Sequence, residues 1–202
     1  MAESDIVYTY AGGVYLNLTN RCTCNCIFCI RHNGSSLGSA ENLWLKKDPT
    51  EEEIIKALED FDFTPYKEVI ICGYGEPLCA LDNVITACEY LKTHYDIKIR
   101  INTNGLGDVY NKKSTVPILK KYIDTASISL NAPNAKRYTE VAKPIYGDDA
   151  FDAILKFAKE CKENLPCVKF SVVDIISKEE IDECQALADS MGIPLRVRTW
   201  EH

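Results

Sequence analysis

Residues 67–78, Lys-Glu-Val-Ile-Ile-Cys-Gly-Tyr-Gly-Glu-Pro-Leu, join an apolar run to a glycine-rich turn. The first six residues predict a buried strand, because a short apolar run of β-branched residues bounded by glycine is typical of one. Gly73 and Gly75 would let the backbone at the strand end approach a ligand closely. A plain Gly-Pro turn with a solvated glutamate at Glu76 would have the same sequence, so the neighbouring segments decide between the two interpretations.

Strands and helices alternate along the rest of the chain. Other strands are predicted at 14–18, 97–103, 125–130, 168–175 and 195–200, and helices after Thr50 and at 81–94, 116–122, 149–161 and 178–191. Such alternation indicates a mostly parallel sheet with helices packed outside it. Six strands are too few for a closed eight-stranded barrel. We therefore expect an α/β chain, an open partial (β/α)6 barrel with a six-stranded sheet, forming a single domain over 1–202.

Four polar segments follow predicted strands. They are the cysteine-rich stretch after residue 18, Gly-Tyr-Gly-Glu at 73–76, Thr-Asn-Gly at 103–105 and Ser-Leu-Asn at 129–131. Active sites of open α/β sheets lie at the carboxyl ends of the strands. The sequence thus predicts that all four segments contribute to one site.

Cys22, Cys26 and Cys29 form a C-x3-C-x2-C pattern directly after the first predicted strand. Three thiolates can hold three irons of a 4Fe–4S cube and leave the fourth iron open to a small molecule. Clustered cysteines also bind structural zinc, commonly as two C-x2-4-C pairs or with histidine. Cys24 lies within the loop but does not fit the spacing, which favours a loop thiol without a metal.

The cysteine pattern, with Phe28 before its last member, resembles the cluster motif of radical S-adenosylmethionine (SAM) enzymes. Residues 73–77 resemble the Gly-Gly-Glu-Pro motif of the same family, with Tyr74 at or near the second glycine. The resemblance implies that the open iron binds SAM and that one electron cleaves SAM to a 5′-deoxyadenosyl radical. It also implies a set of residues that place SAM: Phe28, Gly73, Gly75, Glu76, Asn104, Ser129 and Asn131. Filling of the barrel interior by small polar side chains is an alternative role for Ser129 and Asn131.

Composition limits the cellular context. Ten cysteines and an acidic start, Met-Ala-Glu-Ser-Asp, without a signal-peptide pattern favour a reducing cytoplasm. No apolar segment reaches the ~20 residues that span a bilayer. A net charge of −7 without a basic run argues against nucleic acid as the main partner.

The substrate is not indicated by these motifs. Segments 16–22 and 41–47 resemble, in particular, small radical SAM proteins associated with TatD-type hydrolases, which suggests such a hydrolase as a pathway neighbour. A flavodoxin or ferredoxin type electron donor is expected as a partner. The alternatives are an iron–sulfur electron-transfer module without SAM turnover, a zinc-stabilised binding domain, and radical SAM enzymes of deazapurine synthesis or glycyl-radical activation.

Overall fold

The computed structural model describes residues 5–200, and in this range seven strands form one sheet in chain order. The strands are β1 (Val7–Tyr10), β2 (Gly13–Leu16), β3 (Glu68–Ile71), β4 (Lys98–Thr103), β5 (Thr125–Ser129), β6 (Cys167–Val173) and β7 (Leu195–Arg198). β1 pairs antiparallel with β2, and the pairs from β2 to β7 are all parallel. The α/β class and the parallel sheet are confirmed.

The predicted count of six strands is wrong by one, because β1 adds an antiparallel strand at the edge. Its turn places Ala11 at φ +46° and Gly12 at φ +78°. Two successive residues with positive φ are typical of a tight hairpin, in which Asn-Gly or Asp-Gly is the usual sequence. Ala-Gly gives a weaker signal, which is why the hairpin was not predicted.

Helices connect the parallel strands: α1 (Glu51–Glu59), α2 (Leu81–His94), α3 (Gly107–Asn111), α4 (Val116–Leu119), α5 (Ala135–Ala142), α6 (Asp149–Asn164) and α7 (Lys178–Met191). Capping boxes open α1 at Thr50 and α7 at Ser177. The prediction omitted α3 and α5. The α5 helix is capped by Asn134, whose side chain accepts a hydrogen bond from Arg137 N. The α3 helix has only five residues, too few for a periodic signal.

The hydrophobic core lies between the sheet and the helices. Alternate strand residues such as Val69, Ile99 and Ile128 are fully buried there, together with Ile54 of α1 and Phe157 of α6. The period of two along each strand sends the intervening side chains to the opposite face. Among the described residues, no helix is long and apolar enough to cross a membrane.

Asn17, just past the end of β2, joins four segments in the interior. Its side-chain amide donates to the carbonyls of Asp5 and Leu43, and its Oδ1 accepts from Tyr74 N at 3.1 Å. A Cβ on Gly73 would overlap Asn17 Oδ1, and one on Gly75 would overlap the Thr19 carbonyl. Both glycines are therefore required where the turn after β3 meets the chain leaving β2.

Replacing Gly73 by alanine is expected to lower the free energy of unfolding by about 1–3 kcal/mol, the usual cost of overpacking a close contact. Gly13→Ala is the matched control, because its Cβ would come closest to the ends of the Tyr15 and Ile70 side chains, at 3.1 and 3.2 Å, and would meet the Tyr10 carbonyl only at an ordinary 3.5 Å. Anaerobic urea unfolding measures both variants. A Gly73→Ala protein as stable as the Gly13→Ala protein would contradict the argument.

Candidate functional site: the cysteine loop and the strand ends

The cysteine loop lies across the carboxyl ends of the strands and is held there by backbone hydrogen bonds. Ile27 N donates to the Val141 carbonyl at 2.9 Å, which ties the loop to the end of α5. Glu76 N donates to the Arg21 carbonyl at 2.7 Å, which ties the start of the loop to the turn after β3. The loop is thus fixed at both ends by main-chain contacts.

The three predicted ligands are free, half-buried thiols in this loop. Burial raises the pKa of Cys22 to about 12, with a contribution from the negative charge of Glu76. Cys26 has a strongly raised pKa, first through its hydrogen bond with Cys24 and then through burial, and the charges of Cys22 and Cys29 also raise it. The three sulfurs are therefore close enough to influence one another.

Across residues 5–200, no three His, Cys, Asp or Glu side chains converge on a point suited to a single metal ion. A 4Fe–4S cube bonds each cysteine to a different iron. Its ligands therefore need to surround a volume rather than a point. The donor set at this loop, three half-buried thiols, is chemically suited to such a cube.

Cys24 is the most buried thiol of the loop. It is 6% exposed and belongs to the main core. Its sulfur lies 3.6 Å from Tyr138 OH and 3.5 Å from Asn104 Nδ2. These contacts give Cys24 a packing role, in agreement with its position outside the C-x3-C-x2-C pattern.

Glu76 is a buried carboxylate that accepts three hydrogen bonds from its own chain. Oε1 accepts from Thr103 Oγ1 at 2.6 Å and from Leu78 N at 3.1 Å, and Oε2 accepts from Asn104 N at 2.6 Å. Burial raises the pKa of Glu76, and the three donors oppose that shift. The carboxylate thus joins the end of β3 to the end of β4. The expected contact with the amino group of SAM stays a prediction.

Asn104 continues this connection to the cysteine loop. Its Nδ2 donates to Thr23 Oγ1 at 2.9 Å and lies 3.9 Å from the Cys22 sulfur. Its Oδ1 accepts from Leu106 N, which fixes the side chain at the start of the following turn. A continuous path of hydrogen bonds therefore runs from Glu76 through Asn104 to the residue beside Cys22.

Tyr74 separates Gly73 and Gly75, whereas the two glycines are adjacent in the Gly-Gly-Glu-Pro motif. Its ring is 4% exposed and its hydroxyl donates to the Gly34 carbonyl at 2.7 Å. The Trp44 ring meets it edge-on at 5.1 Å, and the Arg31 guanidinium lies 5.5 Å from the centroid of Trp44. Tyr74 thus fastens the connection after the cysteine loop to the turn after β3.

The remaining predicted residues lie at the same edge. Phe28 is half-buried and packs against the core. Ser129 ends β5, and Asn131 follows it at φ +57°, 4% exposed. Asn131 Oδ1 is buried and has no hydrogen-bond partner within the chain. A buried acceptor without a partner is uncommon and is well suited to a ligand donor.

The sequence-based prediction missed Thr103 and Asn17, although both hold the site together. Thr103 stands in the quoted Thr-Asn-Gly segment, but a threonine at a strand end has many ordinary roles. Its partner Glu76 is 27 positions away, so no local sequence pattern predicts the contact. Asn17 is equally ordinary in sequence, and its three side-chain partners come from separate segments.

Residues 16–189 match the Radical SAM superfamily, and the chain belongs to this superfamily. Superfamily members are enzymes, and the chain is accordingly an enzyme of this class. The match covers all four segments at the strand ends.

Two curated relatives and one solved structure indicate the range of the likeness. The chain is 27% identical over 198 residues to a GTP 3′,8-cyclase of Lactiplantibacillus plantarum, covering 93% of this chain and 57% of that protein. It is 24% identical to the dual-specificity RNA methyltransferase RlmN of Francisella tularensis subsp. mediasiatica, and the match covers 87% of this chain and 49% of that protein. The structure of Streptococcus suis SuiB bound to S-adenosylmethionine superposes with a TM-score of 0.67 at 26% identity, and the match covers 93% of this chain and 40% of SuiB. The chain spans about half the length of the curated relatives it matches.

Replacing Thr103 by valine is expected to cost about 1.5–3 kcal/mol of unfolding free energy, because a hydrogen bond to a buried charged acceptor is lost. Thr103→Ser keeps the hydroxyl and is the matched control. Anaerobic urea unfolding of both variants provides the comparison. Equal midpoints for Thr103→Val and Thr103→Ser would show that the hydroxyl contributes nothing.

Proposed function

We propose that this protein is a radical SAM enzyme that uses a 4Fe–4S cluster to cleave SAM reductively and act on a substrate through a 5′-deoxyadenosyl radical. The observation that carries the proposal is the hydrogen-bonded path from Glu76 through Asn104 to Thr23, beside Cys22. This path unites the three-cysteine loop with the Glu-Pro turn and the Thr-Asn-Gly turn. An electron carrier would need the thiols but not the glycine-rich turn.

Cys22, Cys26 and Cys29 would hold the cluster, and the residues at the ends of β3, β4 and β5 would hold SAM. When both are bound, they supply a reducing electron and a primary carbon radical that can abstract hydrogen from an unactivated position. The chain's own part is to position and shield. Glu76 and Thr103 fix the strand-end turns, and Asn131 offers a buried acceptor to a ligand hydroxyl or ammonium group.

The finer assignments form part of the same proposal. A TatD-type hydrolase as pathway neighbour, a flavodoxin or ferredoxin type donor and a cytoplasmic location rest on the sequence resemblance and composition. The relatives named above include a cyclase of GTP and an RNA methyltransferase, so the likeness does not select a substrate. Formation of 5′-deoxyadenosine from SAM under anaerobic conditions with dithionite tests the activity directly, and an electron-transfer module would yield none.

The cluster assignment predicts that the anaerobically reconstituted protein binds about four irons and four sulfides. Alanine at Cys22, Cys26 or Cys29 should abolish the visible absorbance of the cluster, because each thiolate holds one iron. Cys24→Ala and the exposed Cys167→Ala are controls that should retain it. Loss of the cluster in Cys24→Ala with retention in Cys26→Ala would refute the ligand assignment.

Asn131→Gly is expected to weaken SAM binding about two- to tenfold, since one hydrogen bond contributes about 0.5–1.5 kcal/mol. Glycine preserves the left-handed backbone while removing the side chain. Lys112→Gly, at an exposed position with φ +53°, is the matched control. Calorimetry with the cluster intact gives both affinities, and an unchanged value for Asn131→Gly would remove this residue from the SAM site.

A further inference from the structure

The face of the sheet opposite the helices carries an excess of positive charge. By the alternation of side chains along the strands, this face displays Arg100 of β4, Lys169 of β6, and Arg196 and Arg198 of β7. Glu68 of β3 is the acidic residue among them. The chain as a whole carries −7, so this face has the opposite sign to the protein.

These charges share one concave space because the sheet curls. Tyr15 of β2 has a pKa raised by burial and by Cys72, and the positive charges of Arg100 and Arg196 oppose the shift. Adjacent strands of a sheet twist relative to one another by about 20–25°. Across the five steps from β2 to β7 this twist curls the sheet, so that the face away from the helices turns inward.

Lys169 is crowded by other cations. Its pKa is lowered by burial and then by Arg100, and Arg196 adds to the effect while Glu68 opposes it. Glu68 Oε2 lies 3.1 Å from Arg100 Nε without the alignment of a hydrogen bond. The single carboxylate of Glu68 does not match the combined charge of Arg100, Lys169 and Arg196.

The strand register arranges the charges from the lower part of the sheet to its carboxyl end. Arg100 pairs with Thr125, Lys169 with Ser127, Arg196 with Ser171 and Arg198 with Val173. The neighbours on this face include the small side chains of Ser127, Ser129 and Ser171, of which Ser127 is 7% and Ser171 2% exposed. The upper end of this series reaches the edge of the sheet where the cysteine loop lies.

We propose that this concave face binds the substrate through a phosphate or carboxylate group, held by Lys169 and Arg196 with Arg100 beneath them. The inference rests on the proposed function, because it places an anionic substrate below the SAM site. Guanidinium groups form paired hydrogen bonds with both kinds of anion, and such charge-assisted bonds are stronger than those between neutral groups. Lys169 is half-buried and Arg196 is exposed. An anion would also relieve the mutual repulsion of the cations.

The test uses the anaerobically reconstituted protein and two probe anions, inorganic pyrophosphate and citrate, in calorimetry at low ionic strength. Lys169→Gln and Arg196→Gln should each weaken binding about tenfold or more, as expected for loss of a charge-assisted bond. Lys159→Gln, an exposed lysine of α6, removes the same charge elsewhere and should leave binding unchanged. Preference for pyrophosphate or for citrate would identify the group recognised, and either preference supports the site.

Two results would overturn the inference. One is anion binding that is absent, or equal in Lys169→Gln, Arg196→Gln and Lys159→Gln. The other is a loss of SAM affinity in Lys169→Gln and Arg196→Gln, which would assign these cations to the SAM carboxylate. The proposed function is judged separately by 5′-deoxyadenosine formation: its absence from the wild-type protein would refute the activity, whereas indifference of anion binding to the two variants would refute only the substrate class.

Discussion

The close contact between the chain leaving β2 and the turn after β3 is the constraint on which the site depends. Gly73 and Gly75 lie so near Asn17 and Thr19 that neither position has space for a side chain. This contact brings the start of the cysteine loop against the Glu-Pro turn. If the two segments were separated by even one methyl group, the hydrogen bond from Glu76 N to the Arg21 carbonyl would be displaced. The glycines of this motif therefore act first through contacts within the chain.

Glu76, in the turn after β3, also fixes the position of the end of β4. A buried carboxylate is tolerated only when hydrogen bonds replace its hydration, and here Thr103, Asn104 and Leu78 supply them. Because the same group needs all three donors, the ends of β3 and β4 cannot shift independently without leaving a charge unsatisfied. The site is rigid because any movement that removed a hydrogen bond from the buried Glu76 carboxylate would cost free energy.

Local sequence patterns predicted much of this architecture, and the reasons for the failures are physical. The six parallel strands were predicted because their apolar patterns are local signals, and the α1 and α7 helices because the capping boxes at Thr50 and Ser177 are local as well. The β1 hairpin was missed since Ala11-Gly12 is an unusual pair for a turn with two positive φ values. The roles of Asn17 and Thr103 could not be found, because their partners are tens of residues away. Tyr74 was recognised as a departure from the motif, but only the structure shows it fastening Gly34 and Trp44.

The two faces of the sheet differ in a way that packing alone does not explain. A closed eight-stranded barrel fills its interior with branched apolar side chains, and parallel strands are usually apolar on both faces. In this chain the helix-facing residues follow that rule, but the opposite face mixes apolar residues such as Ile70 and Val173 with serines, Asn102, arginines and a lysine. A second hydrophobic cluster, Tyr8, Ala40, Leu43 and Tyr74, packs against Tyr15 of this face, and the layer between sheet and helices is the larger of the two clusters. Polar and cationic groups kept at such a position cost folding energy, and a ligand of complementary charge would offset that cost. Under the proposal that this face binds an anionic substrate, its polar side chains serve the chemistry of the site rather than the packing of the fold.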